Sequence, residues 1–304
     1  MEPNKDIHNT AGSDSNIEDD GYWTEIIKPK ANLLDIRLGE VWNYRDLLVL
    51  FVKRDFVARY KQTVLGPLWN IIQPLLTTAI SVLLYNKVAG IATPGVDPIL
   101  FQMSGIVVWA YFSSCLTGTS TTFVGNAGIF GKVYFPRLIS PLSVVVSNIV
   151  QFGIQFCLLV ATIIFIAVKS NLPQYFGVSW LLVPIIIFLL AGIGFGLGII
   201  ISSVTTKYRD FSVLLGFGVQ LLMFASAVNI PLLKYYEKLE GQPVLFALIK
   251  WNPLAILVES FRNAVLGGPI QWGMLAYCFV FMIVCLFFGA LVFNKVEKSF
   301  MDTV

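Results

Sequence analysis

Six long apolar runs decide what this chain can become. They fall at 67–88, 98–119, 141–168, 180–204, 211–233 and 273–293. At 1.5 Å per residue, each reaches across about 30 Å of hydrocarbon as a helix, and none places a charge at its centre. Composition agrees: 56% of residues are hydrophobic and 13% are charged, against about 25% charged in a soluble domain. The chain therefore reads as an all-α integral membrane protein with six transmembrane helices.

Charge is unevenly placed. Residues 1–20 carry a net −5, and the remaining residues carry +8. Bases beside apolar runs suit a membrane surface better than a nucleic-acid groove, so no nucleic-acid partner is expected. The short connections set the orientation. The segment before the first run is basic, Lys132 and Arg137 lie between the second and third, Lys207 and Arg209 between the fourth and fifth, and Lys295 and Lys298 after the last. All of these put both termini on the cytoplasmic side. The long connection 233–272 carries Lys234, Lys238, Lys250 and Arg262 yet falls outside, which conflicts mildly with the rule; Glu237, Glu240 and Glu259 soften the conflict.

Several chemistries are disfavoured. The four cysteines all sit in apolar runs, none forms a CxxC pair, and the one histidine is His8. Neither a disulfide framework nor a metal site is expected. The N-terminal residues lack a basic stretch followed by an apolar core, so no cleavable signal peptide is expected. GNAGIFGKV at 125–133 is close to a phosphate-binding loop, but Val133 follows Lys132 where a hydroxyl is needed for Mg²⁺. No nucleotide site is expected. No cluster of acids and bases stands inside the apolar runs, which argues against a membrane enzyme.

Between the runs lie the candidate functional stretches. Residues 1–21 read as a disordered acidic tail. Residues 22–66 form a cytoplasmic segment whose part 38–62 reads as helix, with Asn43 as a cap. Lys53, Arg54, Arg59 and Lys61 alternate there with Phe51, Phe56 and Tyr60, the chemistry of a headgroup zone, although no clean apolar face emerges. Phe130, Lys132, Tyr134, Phe135 and Arg137 form a short loop that reads either as a contact for a cytosolic partner or as an ordinary basic inside loop. The turn Lys207-Tyr208-Arg209-Asp210 either meets lipid phosphate or serves topology alone. Tyr85, Trp109, Tyr111 and Phe112 read equally as a surface on which sugar rings stack or as an interfacial aromatic belt. Gly192, Gly194, Gly196 and Gly198 make overlapping GxxxG pairs, for packing within one subunit or between two. The stretch 254–267 is helical in pattern but too short to cross. Trp251-Asn252-Pro253 opens it and Gly267-Gly268-Pro269 closes it, so it reads as re-entrant or interfacial. Its Glu259 and Arg262, three apart, should face protein, water or headgroups rather than lipid.

Four motifs in order carry a family resemblance over about 42–298: RYKQTVLGPLWNIIQP at 59–74, KVYFPRLISPLS at 132–143, KYRDF at 207–211 and WNPLAILVESFRNAVLGG at 251–268. The chain resembles the permease subunits of ABC-2-type polysaccharide exporters, the Wzm-like family. It departs from that family at 225–231, where Ala-Ser-Ala-Val-Asn-Ile-Pro replaces a Ser/Thr-Pro pair followed by an aromatic residue.

The resemblance implies a homodimer of six-span subunits in the bacterial inner membrane, with residues 67–304 as the transmembrane domain. Two copies of a separate ABC ATPase would hold ATP and Mg, this chain binding no cofactor of its own. It further implies an interfacial helix near 46–63, a coupling helix over 126–135, and two outer re-entrant helices at 243–250 and 253–266 forming a periplasmic gate with Trp251, Glu259 and Arg262. The cargo would be a glycan on undecaprenyl diphosphate, with Arg54, Arg59, Lys61 and Arg209 near its headgroup and Tyr85, Trp109, Tyr111 and Phe112 along its path. The alternatives are an exporter of the same plan for teichoic acid, lipid or a small molecule, or a glycan-modifying enzyme.

Overall fold

The computed structural model describes residues 38–300 except 62, 94, 131, 134, 171–176, 209 and 240. The acidic segment 1–21 and the stretch 22–37 lie outside the described residues, as do the candidate residues Tyr134 and Arg209.

Regular structure among the described residues is helical throughout. α1 (Leu38–Asn43) and α2 (Arg45–Tyr60) precede the bundle. The single helix expected over 38–62 is interrupted at Tyr44, and Asn43 closes α1 instead of capping α2. α3 (Trp69–Ser81) opens on a tight turn at Gly66–Leu68. Gly66 takes φ +49, a backbone region open to glycine, and Pro67 occupies the first turn, where a missing N–H loses no helical bond. The helix continues into wider turns over Val82–Val88, closed by Ala89 N donating to Leu84 O at 2.9 Å.

α4 (Pro98–Phe130), α5 (Ile139–Ser170), α6 (Val183–Lys207) and α11 (Trp272–Phe300) supply four more helices of crossing length, making five among the described residues. The run expected to cross at 211–233 differs. Its helix, α7 (Phe211–Ala225), has 15 residues and is about 22 Å long, short of the hydrocarbon thickness. The chain leaves the helix at Ser226, passes through Ala227 at φ +53 and resumes after Pro231 as α8 (Leu232–Leu239), a helix not foreseen from hydropathy. α9 (Pro243–Lys250) and α10 (Pro253–Leu266) have the bounds of the two implied re-entrant helices and meet at a 56° bend. Asn252 caps α10 by accepting from Leu254 N at 3.0 Å, and Gly267 ends it in the left-handed region at φ +80.

α4 forms the middle of the bundle, flanked along its length by α5 and α6, with α11 on the far side of α6. The α6 glycines explain that order. A Cβ at Gly196 would lie 2.8 Å from the Cys285 backbone on α11, and one at Gly198 would lie 2.6 Å from Thr119 Cβ on α4. Gly192 likewise faces Met282 on α11, and Gly194 faces Cys115 on α4. The overlapping pairs thus let α6 approach two neighbours within one subunit.

Candidate functional site

α4 brings two polar regions into one frame. Gln102 near its start and Asn126 near its end stand about 36 Å apart at the helical rise.

At the Asn126 end, α2 lies along α5 and is keyed to it by charge and amide chemistry. Arg54 pairs with Asp55 at 2.8 Å and reaches Asn126 Oδ1 at 3.4 Å. Asn126 in turn donates to Ser140 Oγ at 2.9 Å, and Ser143 Oγ donates to Asp55 at 3.4 Å. One turn on, Arg59 donates to Gln151 Oε1 and to Asn148 Oδ1 of α5. Lys61 and Lys132 are exposed.

Beneath these charges runs a file of rings. Phe51 of α2 meets Phe135 edge-on at 5.5 Å, Phe135 meets Phe130 at 5.6 Å, Phe130 meets Phe123 at 5.9 Å, and Phe123 meets Phe293 of α11 at 5.6 Å. Arg54 lies 4.4 Å from the Phe51 ring centre and Arg137 lies 6.0 Å from that of Phe130. Phe130, Phe135 and Arg137 are therefore brought together, but Phe135 is buried among the rings and does not project outward. The expected helix over 126–135 is not separate: residues to Phe130 continue α4, and Lys132 and Phe135 lie in the turn that follows.

At the other end, Arg262 of α10 is a buried cation, its side chain 3% exposed. It donates to Glu259 Oε2 at 2.8 Å and to Val228 O at 2.9 Å, and its guanidinium lies 3.6 Å from the Phe101 ring centre. Gly105 makes room: a Cβ there would stand 2.5 Å from Val228 O and 2.7 Å from the guanidinium. Of the settings expected for this pair, protein, water or headgroups, Arg262 takes protein, while Glu259 beside it is 29% exposed. Trp251 lies apart from them at the α9–α10 bend, half exposed, its carbonyl accepting from Tyr277 OH at 2.9 Å.

The linker between α7 and α8 is the partner that sequence reading missed. Four carbonyls, two in the last turn of α7 and two in the linker itself, accept from side chains. Phe224 O takes Tyr235 OH at 2.7 Å, Ala225 O takes Asn252 Nδ2 at 2.9 Å, Val228 O takes Arg262, and Asn229 O takes Gln102 Nε2 at 3.0 Å. Backbone that leaves a helix at membrane depth must find such partners. Gln102 also donates to Asn86 Oδ1 at 3.2 Å. Burial pushes the Tyr235 and Tyr236 phenols above the ordinary value, assisted by Tyr85 for the first and by the Glu259 charge for the second.

Trp109, Tyr111 and Phe112 are buried core side chains of α4, with Tyr111 against Phe152 at 5.4 Å and Trp109 against Phe112 at 5.4 Å. Within this chain they offer no open face for a sugar to stack on. Tyr85 is half-buried in the wide-turn segment.

Helices of crossing length, a glycine-packed bundle and paired short helices at one end define a multi-pass α-helical membrane protein. The ABC-2 type transporter model matches residues 46–266. The chain belongs to that family and is a transport subunit. It is 30% identical over 260 residues to the O-antigen export system permease protein RfbA of Klebsiella pneumoniae, covering 84% of this chain and 94% of the relative. A Myxococcus xanthus protein of the same description is 26% identical over 223 residues, covering 73% and 81%. The polysialic acid transport protein KpsM of Escherichia coli is 24% identical over 259 residues, covering 82% and 93%.

Proposed function

We propose that this chain is the membrane subunit of an ATP-driven exporter of polysaccharide, working as a homodimer with two copies of an ABC ATPase. The observation that carries the reading is the similarity to an O-antigen export permease over 84% of this chain and 94% of the relative. In this reading the subunit sits in the bacterial inner membrane with both termini in the cytoplasm, and its cargo is a glycan on undecaprenyl diphosphate. ATP and Mg are held by the partner.

The Asn126 end of α4 faces the cytoplasm and receives the ATPase through Lys132, Tyr134 and Arg137, with Phe130 and the buried Phe135 behind them in the ring file, which passes a displacement of that turn to both α2 and α11. Arg54 and Arg59 already have protein partners, so the diphosphate is met first by the exposed Lys61 and by Arg209, with the two α2 arginines holding that face in place. The apolar side chains that α7 leaves exposed, among them Phe211, Leu214, Phe217 and Leu221, support a second copy beside it. The glycan path then follows surfaces between the copies, Tyr85 among them, and not the buried rings of α4.

The test is reconstitution. The purified chain is expected to hydrolyse no ATP alone and to support export of a lipid-linked glycan when co-expressed with its ATPase. Export that persists after deletion of the ATPase would overturn the reading.

A further inference from the structure

α9 and α10 resemble one another in sequence character but not in setting. No residue of α9 is buried, whereas eleven of the fourteen residues of α10 are. α10 packs against α4, α6 and α11 and makes little contact with α9. Its N-cap and its second half are tied to the end of α7 and the linker that follows: Asn252 holds Ala225 O and lies 3.4 Å from Ser226 Oγ, and Arg262 holds Val228 O. From the opposite side Gln102 of α4 holds Asn229 O. Phe101 closes over the Arg262 guanidinium, and Gly105 leaves no spare volume beside it. The linker carries a left-handed alanine, Ala227 at φ +53, a conformation that persists only where the surroundings hold it.

A helix on a moving gate needs contacts that can be broken and remade. The Arg262 contacts are poor candidates: Glu259 would travel with it on α10, but each opening would strip the desolvated guanidinium of Val228 O and Phe101 and leave a bare carbonyl behind. We propose that Arg262, with Asn252 and Gln102, is a positioning residue that fastens α10 and the α7–α8 linker to α4, so that α10 stays with the body of the subunit throughout transport. This rests on the reading of the chain as an export permease, and it takes Glu259 and Arg262 out of a moving gate.

A reversible cross-link tests it. Ser226→Cys and Asn252→Cys are combined in a background lacking the exposed Cys157, and glycan export by the complete complex is compared before and after oxidation of the same preparation. Because Asn252→Cys itself removes one tie, a static clasp predicts that the reduced pair exports below wild type, and that oxidation forms the cross-link without lowering export further. The same pair is then combined with Arg262→Met. The reduced form is expected to export at least ten-fold more slowly at equal membrane level, and oxidation is expected to restore it to near the oxidised parent, because the covalent link replaces the lost tie. Three results would overturn the proposal: no cross-link on oxidation, an oxidised parent that stops exporting and recovers with reductant, or an oxidised Arg262→Met form as slow as its reduced form. If Arg262→Met does not accumulate, the parent pair still decides. A wild-type complex that exports no glycan overturns the permease reading instead and is distinguishable from all three.

Discussion

Arginine is used in opposite ways at the two ends of α4. At the α2 end the Arg54 side chain is 39% exposed beside Asp55 at 22%, and its partners are an adjacent carboxylate and an amide. Water screens such a pair, and its net worth is about 0–1 kcal/mol. At the α10 end Arg262 is 3% exposed and engaged on three sides. There the charge is not itself a source of stability, yet removing it leaves groups that nothing else can satisfy. The first arrangement tolerates movement and the second forbids it. What holds the α2 end is instead the file of rings from Phe51 to Phe293.

The comparison breaks or sharpens with four substitutions. Arg262→Met should have the largest effect, lowering stability by about 3–5 kcal/mol, read as a fall in the melting temperature of the purified protein in detergent. Phe135→Ala should follow at about 3 kcal/mol, the low end for a buried ring because the partly buried Phe130 and Ile129 beside it can close on the gap; the same melt reads it. Gly105→Ala should cost about 1–3 kcal/mol by overpacking against Val228 O and the guanidinium, and combining it with Arg262→Met should cost less than the sum. Arg54→Gln should be smallest, below about 1 kcal/mol, and smaller still in high salt. If Arg54→Gln outweighs Phe135→Ala, the α2 end is held by charge after all and the contrast between the ends disappears.

Much of the architecture was legible because hydropathy and punctuation are local signals. The apolar runs mark four crossing helices nearly to their ends, and Asn252-Pro253 and Gly267-Gly268 bracket α10 as caps should. The glycine pairs of α6 announced close packing but not its direction, since spacing is the same whichever neighbour fills the groove. Trp109, Tyr111 and Phe112 were read with two outward-facing uses open, and the structure encloses them. Apolar side chains do not record whether protein or lipid surrounds them, because burial between helices and exposure to lipid select the same residues. The α7–α8 linker was misread for a related reason. Its residues 226–230 contain no glycine or proline, so nothing in their chemistry marks a break; the break is made by Pro231 just beyond and by side chains from α4 and α10, over a hundred residues upstream in the first case. Glu259 and Arg262 were legible as a pair facing away from lipid, but their third partner, a backbone carbonyl, has no sequence signature.

The clasp also has an order of assembly. Every group that Arg262 needs is made before it: Phe101 and Gly105 on α4, then Val228, then Glu259 one turn ahead. A chain emerging from the ribosome inserts these first, so Arg262, the one buried arginine among the described residues, arrives to find its acceptors already in place. Had α10 preceded α4, that charge would have waited in the bilayer for partners still being synthesised. The position of α10 late in the chain therefore lets this demanding contact form once its acceptors are in place, with only α11 still to be added during biogenesis.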